Sequence, residues 1–443
     1  MKNKMLNNVF ISTIFMLILL NHTNAQQYTL EESIELGIKN SKELNISKSK
    51  LLSSEAKITE SSSQMLPQLK FNASYSRLSD IPAFQLTVPF YSSPITISEP
   101  VLNSYQFKLS LQQPLFTGFR LSSLKSAAEY NNEASNYEYL SDLSDYSLKI
   151  YEAFWNFYIS QQLEQLITEQ LNSIKQNVID TKNFLDNGLV NKNDLLKLEV
   201  QESNVELKLI EAKNNVELAR MNFNRVIGIN LNTQSNIITN DINVTSNEYD
   251  QTQILEEAKH NRNELKSLES KVSAADEGIT AANSTWFPSL YLFGEYLYAN
   301  PNQRIQPQKD QFDDTWAVGV SLNWDLWDWG NTSSKSKQAE QLKIQAESSL
   351  DLLNESIEID VNQSYLNFLK SRDKIKVSQR AVAQAEENYR ITQEKYDVQL
   401  ATSSELVDAQ TYLLEAKTNL NRALVEYELA KVKLDKSMGR KIY

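Results

Sequence analysis

The sequence predicts an α+β membrane protein in two pseudo-repeats, each with two membrane-crossing β-strands and a long antiparallel helical hairpin. Three observations point there. The second half of the chain repeats the first, four short segments alternate strictly between apolar and polar residues, and Gly and Pro are scarce. The 443 residues hold only 9 Gly and 9 Pro, about 2% each, against ordinary shares near ~7% and ~5%. Chain breakers are too few for a mosaic of short elements.

The chain opens with an expected export signal over residues 1–25. Lys2 and Lys4 give a basic start, Val9 to Leu20 an apolar stretch, and Thr23 and Ala25 the small residues before a cleavage point at Gln26. The stretch is too short to span a bilayer as a helix. No other segment reaches the ~18 apolar residues a spanning helix needs. Mean hydropathy is -0.46. Removing the signal leaves 42 basic against 56 acidic residues, which disfavours nucleic acid as a partner.

The repeat shows on self-comparison. Asn40–Leu44 matches Asn261–Leu265, and the same offset of 221 carries Pro67 onto Pro288 and Tyr75 onto Tyr296. Further on the offset is 211 and stays constant, taking Leu189 to Leu400, Asp194 to Glu405 and Gly228 to Gly439. The first copy therefore carries ten more residues between Pro67 and Pro114, an insertion that belongs in an exposed loop. The expected organisation is a first repeat over 26–228, an Asn/Thr/Ser-rich linker over 229–253 and a second repeat over 254–443.

Each repeat begins with a helical segment that ends at Pro67 or Pro288. Strands follow at about 67–77, 104–114, 288–298 and 315–325. Leu69, Phe71, Ala73 and Tyr75 share one parity against Gln68, Lys70, Asn72 and Ser74. Trp316, Val318, Val320 and Leu322 do the same against Ala317, Gly319 and Ser321. That is a period of two, in runs long enough for a tilted strand to cross a bilayer. Five of the six Trp fall between Trp286 and Trp329, as in an interfacial aromatic girdle. Lys70 and Lys108 sit on the polar parity, where a water-filled lumen would receive them. Four strands cannot close a barrel, and open edges cannot face lipid. Either the strands lie outside a membrane or several chains share one barrel; three chains would give twelve strands.

From Arg120 to Leu185 there is no Gly or Pro, enough for a helix of roughly 100 Å at ~1.5 Å per residue. Ile167, Leu171, Ile174, Val178, Thr181 and Leu185 step by four and three. Leu406, Ala409, Leu413, Ala416, Leu420, Ala423, Tyr427 and Ala430 do the same, a heptad seam. Short breaks at about 186–194 and 397–405 read as hairpin tips, each ending in an acid near the start of the next helix. A soluble coiled-coil scaffold accounts for these helices equally well, but not for the signal or the strands.

Enzymatic chemistry has little support. There is no Cys, and His260 is the one His outside the expected signal. Thiol, zinc-thiolate and multi-His sites are excluded, and no phosphate loop or dinucleotide fingerprint occurs. No cofactor is expected.

In their order and duplication these pieces resemble the TolC-like outer-membrane efflux family. The carrying residues are Asn40–Leu44 and Asn261–Leu265, the strand openings Leu66–Leu69 and Phe287–Leu290, and the strand exits Gln113–Phe119 and Asn323–Gly330. The tips Asn187–Val190 and Tyr396–Ala409 and the closing Ile227–Gly228 and Met438–Gly439 match as well. The resemblance implies a homotrimer in the outer membrane, with a shared twelve-stranded barrel and a periplasmic α-helical tunnel. It implies an equatorial belt from the linker and chain ends, a periplasmic adaptor, and an inner-membrane pump reached through it. Gly188, Leu189 and Val190, with Leu400, Ala401 and Thr402, match the adaptor-binding tips. Glu405 and Asp408 match acidic gate positions, and Asp194 and Tyr396 match residues that clasp neighbouring helices. The family often adds an Arg where Ala401 stands, and Gln399 replaces the usual tip Gly of the second copy.

Overall fold

The computed structural model describes residues 26–443, apart from Tyr91, Asn240, Asp241, Asn243 and residues 245–248. The expected signal over 1–25 lies outside the described residues, as does part of the segment 229–253. Two compact units are present. One holds residues up to Ser47 with Tyr139–Asn263 and Asn354–Tyr443; the other holds Lys48–Glu138 and Glu264–Leu353.

The first unit contains the chain start, β1 (Gln26–Tyr28), and α1 (Leu30–Asn40). Thr29 and Glu32 cap α1 reciprocally: the Glu32 N–H donates to Thr29 Oγ1 at 3.2 Å and the Thr29 N–H to Glu32 Oε2 at 2.9 Å, a capping box. The helical segment expected to run on to Pro67 instead breaks at Ser41, and α2 (Lys42–Ser63) starts afresh. Ser41 is extended, and its hydroxyl accepts the Leu44 N–H at 3.1 Å. The second copy breaks identically at Arg262, between α5 (Gln251–Asn261) and α6 (Asn263–Asn283). A one-residue break leaves the helical period on either side intact, so periodicity alone does not reveal it.

Those breaks are where the long helices arrive. The four are α3 (Arg120–Asp186), α4 (Lys192–Val226), α7 (Asn331–Asp397) and α8 (Ser403–Ser437), of 67, 35, 67 and 35 residues. Gly228 follows α4 at φ +75°, and a Cβ there would lie 2.4 Å from Asn40 Cβ. Gly439 follows α8 at φ +74°, where a Cβ would lie 2.7 Å from the Asn261 carbonyl carbon. Only glycine fits both the conformation and the space.

The heptad seam is buried. Ile167, Leu171, Ile174 and Thr181 of α3, Leu198, Val205 and Ala212 of α4, and Leu406, Ala409, Ala416, Ala423 and Tyr427 of α8 all lie inside. A second apolar stripe on the same helices has no cover in the protomer: Val200 and Leu207 of α4, Ile359 and Leu366 of α7. Each pair is seven residues apart.

Part of the inter-repeat segment is strand. β6 (Ser235–Ile237) pairs in parallel with β1. Tyr28 and Ile237 then pack with Phe154, Phe157 and Phe223 in the core of the first unit.

The second unit contains a four-stranded sheet of β2 (Gln68–Arg77), β5 (Asn103–Thr117), β7 (Ser289–Asn300) and β8 (Asp313–Asn323). The order is β2-β5-β7-β8 and every pair is antiparallel. The register sorts the faces. One face carries the rows Leu69–Leu111–Gly294–Val318 and Phe71–Leu109–Tyr296–Trp316, and the other Lys70–Ser110–Glu295–Ala317 and Asn72–Lys108–Leu297–Thr315. Trp316 is 72% exposed and Phe71 67%, so the apolar face is bare. On the polar face Lys108 Nζ pairs with Glu295 Oε1 at 2.6 Å.

Strand β5 runs three residues past the expected end at 114. Pro114 is accommodated because the register shifts between Pro114 and Phe116 and pairing with β2 ends at Gln112; a bulge absorbs the missing donor. The insertion of the first copy holds a small hairpin, β3 (Phe84–Leu86) and β4 (Ile95–Ser98). These strands are too short for their alternation to stand out in the sequence. Among the described residues no helix is long and apolar enough to cross a membrane.

Candidate functional site

The two hairpin tips use one turn. In the first, the Gly188 N–H donates to the Leu185 carbonyl at 2.9 Å and the Leu189 N–H to that of Phe184 at 2.9 Å. In the second, the Gln399 N–H donates to Tyr396 at 2.9 Å and the Leu400 N–H to Lys395 at 2.7 Å. This is the Schellman pattern, which closes a helix with a left-handed residue. Gly188 has φ +73° and Gln399 φ +64°, so Gln399 takes the conformation without being glycine. The turn leaves Leu189 54% and Leu400 78% exposed. Thr402 is exposed and Val190 half-buried. Ala401 turns partly inward against Leu198, Tyr396 and Leu406.

The returning helices are capped differently. The Asn191 side chain accepts the Asp194 N–H at 3.2 Å. Thr402 and Glu405 form a full capping box: Thr402 N–H and Oγ1 donate to Glu405 Oε2 at 2.7 and 3.0 Å, and the Glu405 N–H donates to Thr402 Oγ1 at 3.3 Å. Donation by the Thr402 backbone, then by its hydroxyl, holds the Glu405 carboxyl below the ordinary glutamate value.

Glu405 and Asp408 are both exposed, whereas the adjacent Leu406 and Ala409 are buried. The acids therefore line the side of α8 away from the seam. Asp194 is half-buried, and among the described residues no hydrogen bond or ion pair joins it to Glu405 or Asp408. Tyr396 is buried. Its hydroxyl makes a very short hydrogen bond with Thr181 of α3, and its ring meets Phe184 edge-on at 6.3 Å. Tyr396 thus ties the second hairpin to the first.

Residues 34–228 and 254–440 match the outer membrane efflux protein family. The chain belongs to that family. Over 187 residues it is 28% identical to outer membrane protein TolC of Vibrio cholerae, 42% of this chain and 43% of that one. The match thus spans less than half of that relative's length. In fold, the chain resembles the CmeC outer membrane channel of Campylobacter jejuni, with TM-score 0.78 and 18% identity over 93% of this chain and 85% of that one. It also resembles outer membrane protein VceC of Vibrio cholerae, with TM-score 0.77 and 17% identity over 94% and 97% of the two chains. Membership of the outer membrane efflux protein family places the chain in the outer membrane.

For a member of that family the tip region holds more polar structure than the sequence announces. One heptad above Tyr396, the Tyr389 hydroxyl lies 3.0 Å from Ser173 Oγ of α3, and Gln410 Nε2 of α8 donates to the same Ser173 Oγ at 2.9 Å. Tyr389 also donates to Gln393 at 3.2 Å, and Gln393 to Asp397 at 2.9 Å. The signal that could have found this group is the spacing of Tyr389 and Tyr396. Its partners stand more than two hundred positions away, which no local pattern reports.

Proposed function

We propose that three copies of this chain form a passive outer-membrane duct of a tripartite efflux or type I secretion system. The duct carries substrates from an inner-membrane pump to the exterior. The observation that carries this reading is the four-stranded sheet with a bare apolar face and free edges at β2 and β8. In lipid, unpaired backbone groups cost several kcal/mol each. The smallest outer-membrane barrels use about eight strands, so one copy cannot close a barrel. Three copies give twelve strands with no edge left. The uncovered stripe of Val200, Leu207, Ile359 and Leu366 is what neighbouring copies would cover in a helical tunnel.

At the far end of the helices, Leu189 and Leu400 present apolar knobs on fixed turns, suited to the helical tip of a periplasmic adaptor. Gly188, Val190, Ala401 and Thr402 shape those turns. Asp194, Tyr396, Glu405 and Asp408 form the gate. Three copies would set six carboxylates of Glu405 and Asp408 around one axis, a field that favours cations. The capping box opposes the repulsion that would otherwise protonate Glu405. No energy source lies in the chain, so the partners drive transport.

Purified protein added to one side of a planar lipid bilayer is expected to insert and give discrete, uniform conductance steps. Absence of steps from protein that is folded and detergent-soluble would count against a duct.

A further inference from the structure

A partly buried polar layer lies one heptad above Tyr396. Gln410, Ser173 and Tyr389 come from three helices, α8, α3 and α7. The hydrogen bonds run one way: Gln410 Nε2 to Ser173 Oγ, the Ser173 hydroxyl to Tyr389, and Tyr389 to Gln393. The Tyr389–Gln393 bond fixes that direction, because a hydroxyl that donates once must accept from its other neighbour. The layer borders an open cleft of about 130 Å³ lined also by Leu166, Glu169, Gln170, Leu413, Leu414 and Lys417. Gln170 and Gln410 are more than nine-tenths buried, and the carbonyl oxygen of each has no partner.

A polar layer whose two buried glutamines each hold an unpartnered carbonyl oxygen is poorly satisfied in this packing. Apolar residues there would hold the hairpins together more firmly. The polar layer therefore leaves the contact between the α3–α4 and α7–α8 hairpins close to balance, with the Ser173 bonds deciding it. Tyr396 with Thr181 forms a second, lower rung of the same kind.

We propose that Tyr389, Ser173 and Gln410 are positioning residues of the gate, an upper latch that holds the second hairpin against the first. Gln170 tunes the same latch in the opposite sense. The inference rests on the duct reading above, and it adds residues that carry no charge.

The test is single-channel recording in planar bilayers on detergent-purified trimers with matched thermal midpoints. Tyr389→Phe keeps the ring and loses one hydrogen bond between the hairpins, that from Ser173, besides the bond to Gln393 within α7, so the open state should gain about fivefold per protomer. Ser173→Ala removes both bonds between the hairpins and should gain at least as much. The double variant should gain no more than Ser173→Ala alone, because the bond between the hairpins that Tyr389→Phe removes is already lost with Ser173. Gln170→Leu replaces an orphaned acceptor with an apolar side chain of similar size and should lower the open population, which general loosening would not do. Tyr396→Phe is the control for the gate itself. If Tyr396→Phe opens the channel and Tyr389→Phe does not, the upper latch is wrong and the gate reading stands. If neither opens it, both fall. Additive effects in the double variant, or opening by Gln170→Leu, would also overturn the latch.

Discussion

Gln399 shows how much one residue can be made to tolerate. It holds φ +64° at the tip position where the first copy has Gly188. A left-handed conformation costs a non-glycine residue roughly 1–2 kcal/mol, partly offset by glycine's greater entropy loss. We expect Gln399→Gly to stabilise the second tip by about 0.5–1 kcal/mol, read as slower amide exchange at Leu400. Gly188→Ala should destabilise the first tip by about 1 kcal/mol. A Cβ at Gly188 would meet nothing within 4 Å, so backbone strain alone sets that cost. Glu405 was legible beforehand, since Thr402-x-x-Glu405 is a capping-box spacing. Its lowered carboxyl sets the sign of a pH effect: the cap is intact above the ordinary glutamate value and is lost as pH falls through the lowered one. At neutral pH Glu405 stays charged. Reversal potentials should therefore show cation selectivity in the wild type and its loss in the Glu405→Ala, Asp408→Ala double variant. Equal selectivity in the two would remove these acids from the gate. The burial of Tyr396 was not legible, because Thr181 is 215 positions away.

The periods of the elements were legible because they are long. Heptad residues from Ile167 to Thr181 and from Leu406 to Tyr427 are buried or, at Val178, Leu413 and Leu420, half-buried, as their spacing implies. Alternation from Leu69 to Tyr75 sorts the two sheet faces. What escaped was local: the break at Ser41, the bulge past Pro114 and the strands Phe84–Leu86 and Ile95–Ser98. Each is a deviation of one to four residues, too short to interrupt the period around it. At the tips, replacing both Leu189 and Leu400 with Asp should abolish export in cells while leaving trimers in the membrane. The substitutions add charge where a partner would bury apolar surface and remove nothing from the seam. Export at the wild-type rate would exclude these residues as the docking points.

For the whole molecule, the decisive property is what the protomer leaves uncovered. The sheet exposes Phe71, Trp316 and Val318 and two edges, and the helices expose a second heptad stripe at Val200, Leu207, Ile359 and Leu366. An apolar surface of this extent on an exported chain needs lipid on one part and copies of itself on another. Assembly and insertion are then one event, since a lone protomer would carry its edges into lipid. Sequence reasoning reached the strand count and the closure problem. It missed the second stripe, because the buried seam dominates the same helices. The most direct measurement is the stoichiometry of the inserted protein, by chemical cross-linking and native mass spectrometry of the detergent-extracted outer-membrane form. The account predicts cross-linking that stops at three and a single trimeric mass. A stable, membrane-inserted monomer would contradict it.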